Sequence, residues 1–503
     1  MDLELLDDRS FHFRLVIYNE DGKYVRLRKN TLEEFVIEDN ILDFYHHGHL
    51  VFKNSYDSVE RQTERWEGDN KVDIETFRFR GDARDYIRFE LHPNLDSDLA
   101  SAEVMESEFY SMSFDFVITQ IEDLSTQSPS GKSKKLTFHD KRCQRLMERD
   151  IYWHSGQAAI RQGETAYNRP LSQMSNEERT IRTGVGIKDI IQTALPGSSF
   201  SPDWDSGSRP VFYTSPGNSK AIDDLKSMFD KHVSSDDTDN QPSILRLERY
   251  TNTWSLNPLS YYFNKAYNKT TNTAGMYQNE IFYISAEVDS NGSEGQPSKS
   301  PENTPNPMRN VSLPGMSEIT NYVFSEMPGS DQQTYIVSSP ITTYDAKSRE
   351  FKFYHDKTSI NSMYNYFKST VTDAVMGGVS GPHTEFFINN TKSANKNVQL
   401  LHSTDGDDHG VLIKSRNRVM RQALYGGPAI LFDVKGSSNR RAGRFISVDR
   451  RNPYTSNDFD SKLLGQYFVT KVVHRITGGG YVNTIMGAKP YYYNPVDFNN
   501  NIN

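Results

Sequence analysis

Three histidines within four residues, His46-His47-Gly48-His49, form the densest group of potential metal ligands in the chain. Imidazoles on one hairpin tip could bind Zn²⁺ or Ni²⁺. Strand alternation, however, sends neighbouring side chains to opposite faces, no cysteine is near, and only Asp43 offers a carboxylate as fourth ligand. A polar turn is therefore the favoured reading. Asp405-Gly-Asp-Asp408 with His409 has the composition of a divalent-cation site, but it lacks the spaced oxygen ligands and distal Glu of an EF-hand, and reads as an acidic loop. Gly131-Lys-Ser133 is no phosphate-binding loop, because Thr126 stands where that motif needs its first glycine. Gly184-Val-Gly186 lacks both the preceding apolar strand and the third glycine of a dinucleotide site. Cys143 carries no nucleophile signature, and with 66 acidic residues chance carboxylate pairs are expected. No catalytic, cofactor-binding or metal residue is assigned.

Lys435, Arg440, Arg441, Arg444, Arg450 and Arg451 make a basic patch late in the chain. Phe445 is the only aromatic interleaved, too few for a platform that stacks single-stranded nucleic acid, so an acidic protein neighbour is the expected partner.

The elements that would position these residues are mostly strands. The clearest is the hairpin Gln466–His474 and Tyr481–Lys489, joined by a turn over Arg475–Gly480 that contains three glycines. Alternation places Phe468, Thr470, Val472 and His474 on one face, and Tyr467, Val469, Lys471 and Val473 on the other. Neither face is purely polar, which suits a barrel packed inside and touched by a neighbour outside. Further strands are read at 11–18, 35–42, 48–52, 77–80, 86–91 and 114–124, with an Asp-Gly turn after the first. Residues 125–135 read as a polar linker, and helices are expected over 139–151, 186–195, 221–229 and 361–367. A second hairpin is expected over 243–256, and strands at 279–285, 335–339, 350–354, 411–413, 429–434 and 443–448. Residues 289–305, rich in Pro, Ser and Gly, read as an exposed loop, and 376–382 as a break.

The fold class expected is mainly β with α+β insertions: two tube-like antiparallel β-barrel modules plus mixed insertion domains. The boundaries drawn are a first barrel over 1–124, a mixed α/β domain over 125–242, and a second, discontinuous barrel over 243–285 and 409–490. An insertion over 286–408 and a tail over 491–503 complete the chain. At 503 residues the chain is too long for one core. Hydrophobic residues at 35% and aromatics at 12% favour β structure with large polar interfaces over a Leu/Ala-rich bundle. A net charge of −9 argues against tight sequence-reading of nucleic acid. One cysteine excludes an intrachain disulfide. The acidic start without an apolar core, and the absence of a run of ~18–20 apolar residues, lead us to expect a soluble protein made in a reducing cytoplasm.

Gly465-Gln-Tyr-Phe-Val-Thr-Lys-Val-Val-His-Arg-Ile-Thr-Gly-Gly-Gly-Tyr-Val-Asn-Thr-Ile485 resembles a strand pair of the central baseplate hub proteins of contractile-tailed bacteriophages, a family related to the hub module of type VI secretion spike proteins. Glu33–Leu42 with Gly48, and Val117–Leu124 followed by Leu136–Asp140, are similar to that family's first barrel. Ile244–Arg249 with Trp254–Pro258 looks like the return into the second. The resemblance implies a structural virion protein rather than an enzyme, with no cofactor. It implies a homotrimer whose two barrels per chain present a pseudo-sixfold ring to the tail tube protein and a threefold face to the central spike protein. Baseplate wedge proteins would meet its loops, and DNA and the tape-measure protein would pass through its channel without sequence-specific binding. Its place would be the tail baseplate of the virion, assembled in the host cytoplasm, with no membrane contact. The candidate subunit or tube interface is set on Tyr467, Val469, Lys471, Val473, Tyr481, Arg450 and Arg451. A tail-associated cell-wall or polysaccharide hydrolase is the competing expectation.

Overall fold

A computed structural model describes residues lying, with short gaps, within 4–5, 11–54, 64–93, 112–163, 173–262, 280–284, 316–325, 341–354, 399–403, 429–450 and 465–488. The protein is mainly β. Its first strands are β1 (Glu4–Leu5), β2 (Phe11–Tyr18), β3 (Tyr24–Leu27), β4 (Leu32–Asn40) and β5 (His47–Lys53). They are followed by a separate small hairpin of β6 (Glu64–Glu67) and β7 (Asn70–Asp73), then β8 (Tyr86–Pro93), β9 (Met112–Leu124) and β10 (Ser133–Asp140). Pairing runs β1-β2-β8-β9-β10-β5-β4, with β3 on the other part of β2, all antiparallel.

This first strand set is rolled. The rings of Phe35 on β4 and Phe89 on β8 lie 4.6 Å apart, although β5, β10 and β9 separate their strands in the sheet. Alternation supplies the core: Phe13, Phe35, Phe52, Phe89, Phe116 and Phe138 all point inward and are fully buried. Burial of large aromatic side chains of this kind is the main stabilising term.

Next come β11 (Ile181–Arg182), β12 (Ser199–Phe200), β13 (Pro210–Val211), β14 (Ser243–Leu247) and β15 (Thr253–Pro258). The helices Thr183–Ala194 and Ala221–Asp230 pack with β14 and β15 around Trp153 and Trp254. β12, β15 and β14 form a sheet of their own.

The remaining strands are β16 (Glu280–Ile284), β17 (Met316–Ser325), β18 (Ile341–Asp345), β19 (Glu350–Tyr354), β20 (Gln399–Ser403), β21 (Ala429–Lys435), β22 (Phe445–Arg450), β23 (Gly465–Thr477) and β24 (Gly480–Ala488). β18, β19 and β20 form a small sheet. The other six pair in a complete circuit, β23-β22-β16-β17-β21-β24 and back to β23, around Phe282, Phe432, Val448 and Tyr467. β23 also pairs with β4, so both strand sets belong to one 14-stranded sheet.

Several expectations need correction. The two strand modules share one sheet, joined through β4 and β23. The second is not purely antiparallel, since β16 runs parallel to both β17 and β22. Parallel pairing needs a long connection, and residues 285–315 supply one before β17. The 243–258 hairpin joins the helices rather than the second strand set, because its apolar side chains Leu245, Leu247, Trp254 and Leu256 face them. The sheet extends past 124 to β10, whose first residues fall within the expected linker. Where a helix was expected over 139–151, only a 3-10 turn and a five-residue helix at Gln144–Glu148 form. The turn of the late hairpin is shorter than expected, with Thr477 paired to Gly480. Neither Gly478 nor Gly479 takes a left-handed φ. A Cβ at 478 would sit 3.0 Å from the Lys29 carbonyl oxygen, a tight contact that favours glycine there. The expected features at 289–305, 335–339, 361–367, 376–382, 405–409 and 411–413 lie outside the described residues.

Candidate functional site

Phe35, Ile37 and Asp39 share the inward face of β4. Alternation thus drives a carboxylate into the end of a phenylalanine-rich core, where it is 2% exposed. An isolated buried charge would cost several kcal/mol, so this one is held by cations from other modules. Arg246 on β14 donates to Asp39 Oδ1, and Arg249 just beyond β14 donates to Oδ2 at 3.4 Å. The Ala442 backbone N–H, ahead of β22, donates to Oδ2 at 3.1 Å. Arg246 also donates to the Ala442 carbonyl (3.0 Å), and Arg249 to those of Ser438 (2.5 Å) and Arg440 (3.0 Å). One carboxylate and two guanidiniums therefore tie together the first strand set, the helix-bearing module and the approach to β22.

The late hairpin supplies the rest. His474 and Asn483 are both 0% exposed on the inward face of β23 and β24. Arg249 lies 2.9 Å from His474 Nε2. A guanidinium has only donors, so Nε2 accepts, and the proton sits on Nδ1, 2.6 Å from the Tyr481 hydroxyl. The other tautomer would accept from Asn483 and Tyr481 but turn an N–H onto Arg249. Asn483 Oδ1 accepts from the Ser437 N–H (2.6 Å) and from Arg440 (2.8 Å). His46, ahead of β5, lies 3.9 Å from Asp39 with its ring against Phe114.

Burial acts to raise the Asp39 pKa, but Arg246 foremost, with His46 and Arg249, holds it well below the usual carboxylate range. Burial pushes His46 down to about 3 and, with Arg249, His474 well below its ordinary value. Both imidazoles are neutral at neutral pH. The cluster is all but closed to solvent, with Asp39, Arg249, His474 and Asn483 at most 4% exposed and the Arg246 side chain at 14%. Its capacity is mechanical: a directional lock between modules.

The opposite face of the same strands is partly open to solvent. Lys471 meets Glu38 at 2.5 Å and Arg475 meets Glu34 at 2.7 Å, while His49 and His47 reach the same two glutamates at 3.2 and 3.7 Å. The 46–49 histidines are thus split between core and surface by alternation. Among the described residues no His, Cys, Asp and Glu side chains group to hold a metal ion.

The predicted interface residues divide. A β-bulge between Val469 and Lys471 shifts the strand's phase, so Tyr467 and Val469 point into the core with Val472 rather than outward with Lys471 and Val473. Tyr481 is also buried, against Phe11 and His474. These three cannot meet a neighbour. Lys471 and Val473 are half-buried on the outer face. Arg450 ends β22, and Arg451 lies outside the described residues. Of the basic patch, Arg440 is turned inward onto the Lys435 carbonyl and the Phe282 ring. Sequence reasoning passed over Asp39, Arg246, Arg249 and Asn483. The available signal was Asp39, a charge at an apolar phase of β4.

No family model and no curated protein matches this chain. Among solved structures, it is similar to the 43 kDa tail protein of prophage MuSo2 from Shewanella oneidensis, at 6% identity and a TM-score of 0.45, over 95% of this chain and 98% of that one. It is similar to the tail protein from Neisseria meningitidis MC58, at 8% identity and a TM-score of 0.42, over 96% and 98% of the two chains. It is also similar to a chain of the Francisella PdpA-VgrG complex, at 8% identity and a TM-score of 0.43, over 97% of this chain but 53% of that one.

Proposed function

We propose that this protein is a structural hub of a contractile tail baseplate, a trimer that adapts a sixfold tail tube to a threefold central spike. The observation that carries the reading is the joining of two strand sets in one chain by a continuous sheet and the buried Asp39 lock. Three such chains around a threefold axis would present six strand modules held in fixed relative orientation, as a symmetry adapter requires. A hinge between the modules would blur that match. The sequence resemblance at the late hairpin and the β4 region supports the same reading.

In this reading Lys471 and Val473, on the outer seam, meet a neighbouring subunit or the tube, together with Arg450 and Arg451. The spike, wedge and tape-measure proteins are the remaining partners, and DNA passes through the channel without being read. The location is the virion tail baseplate, after assembly in the host cytoplasm. The chain performs no catalysis.

Light scattering combined with negative-stain imaging tests this. A species of three times 57.7 kDa, ring-shaped with an open centre, is expected with or without added spike protein. A monomer that stays monomeric with both spike and tube proteins present would overturn the reading.

A further inference from the structure

A cavity of about 330 Å³ lies where the β14–β15 hairpin meets the loop 441–444 that leads into β22. Its volume is at the lower end of small-molecule sites. Among the described residues, four charged side chains line it: Arg246, Arg441, Arg444 and Glu248. The one carboxylate does not balance the three guanidiniums. Glu248 is exposed and accepts from Ser255 Oγ at 3.2 Å. Arg246 is paired with Asp39, but Asp39 accepts from Arg249 as well and so neutralises Arg246 only in part. The lining thus carries excess positive charge in a chain whose net charge is −9. A concave site of one sign concentrates ions of the other.

We propose that this cavity binds a phosphate-bearing small molecule, with Arg441 and Arg444 holding the phosphate oxygens. The class follows from the donors. Guanidiniums present paired N–H groups, which match the oxygens of a phosphate. Ser201, Thr253 and Tyr262 add hydroxyl groups to the wall, and hydroxyls donate to the same oxygens. Three guanidiniums against one carboxylate suit a multiply charged group rather than a single carboxylate. An occupant would bridge the hairpin of the helix-bearing module and the approach to β22, the two parts that Arg246 already ties through the Ala442 carbonyl. Neither the cavity nor its charge depends on the hub reading.

The test is calorimetric titration of the full chain with pyrophosphate, and with hexaglutamate as the carboxylate counterpart, at one fixed ionic strength. Saturable binding of pyrophosphate is expected, with hexaglutamate at least about tenfold weaker. Arg444→Gln should weaken pyrophosphate by about tenfold, the effect of a hydrogen bond to a charged group. Glu248→Gln removes the opposing charge from an exposed position and should tighten pyrophosphate about fivefold. Absence of saturable pyrophosphate binding would overturn the proposal. So would hexaglutamate binding as tightly, which would make the cavity a contact for an acidic protein, or a Glu248→Gln variant that binds no more tightly. If Arg444→Gln lowers the melting temperature, the Glu248→Gln result decides.

Discussion

The seam between β4 and β23 shows the same pair of strands using charge in two ways. Inward, Asp39 and His474 meet Arg249 in a water-excluded cluster that draws on three parts of the chain. Outward, Glu34 and Glu38 meet Arg475 and Lys471 with a quarter to a half of each side chain exposed. The inner contacts lack any competing solvent, so each is costly to leave unmade and fixes one geometry. The outer contacts are screened and can be exchanged for those of a partner. The inner face orients modules within the chain, and the outer face is the side open to a neighbour.

Breaking the inner face should have the largest effect. Asp39→Ala leaves Arg246 and Arg249 buried without their carboxylate and should cost about 3–5 kcal/mol in denaturant unfolding. Gly48→Ala comes next. A Cβ at 48 would overlap the Val36 carbonyl oxygen on the adjacent β4, forcing β4 and β5 apart at a cost of about 1–3 kcal/mol.

Acid should act on the inner face. The folded pKa of His46 lies near 3 against 6.5 for the unfolded group, and that of His474 is also depressed. Unfolded chains therefore bind protons first. Stability should be full above about pH 6.5 and fall towards pH 3, by about 1.4 kcal/mol per pH unit for each proton taken up. Asp39, with its own pKa depressed, keeps its charge throughout that window. Thermal unfolding followed from pH 7 to pH 4 measures the slope, and His46→Phe should make it shallower.

The outer face should yield the smallest change. Lys471→Ala and Arg475→Ala should each cost about 0.2–1 kcal/mol, less at high salt. Val473→Asp should leave the melting temperature nearly unchanged while weakening oligomer or tube binding. An unaltered assembly in that variant would remove the outer seam from the proposed interface.

Much of the strand content was legible because alternation is local. β2 coincides with the stretch read as Phe11–Tyr18, and the helix at 221–230 follows its apolar spacing. The phase of β23 was not, because one extra residue in a bulge inverts which side chains point inward, and nothing in Tyr467–Val473 announces it. The partnership of Asp39 with Arg246 and Arg249 was equally hidden, spanning about two hundred residues of chain.

The sequence by itself determined that this protein is built of strands, where most of them run, and that a glycine hairpin ends the described chain, since propensity and period act over a few residues. Only the tertiary structure decided that β4 meets β23, that the two strand sets share one sheet, and that Asp39 becomes a buried lock rather than a surface charge. Strand partners and burial are set by long-range closure of the sheet, and the energy of a charge depends on what the fold places around it.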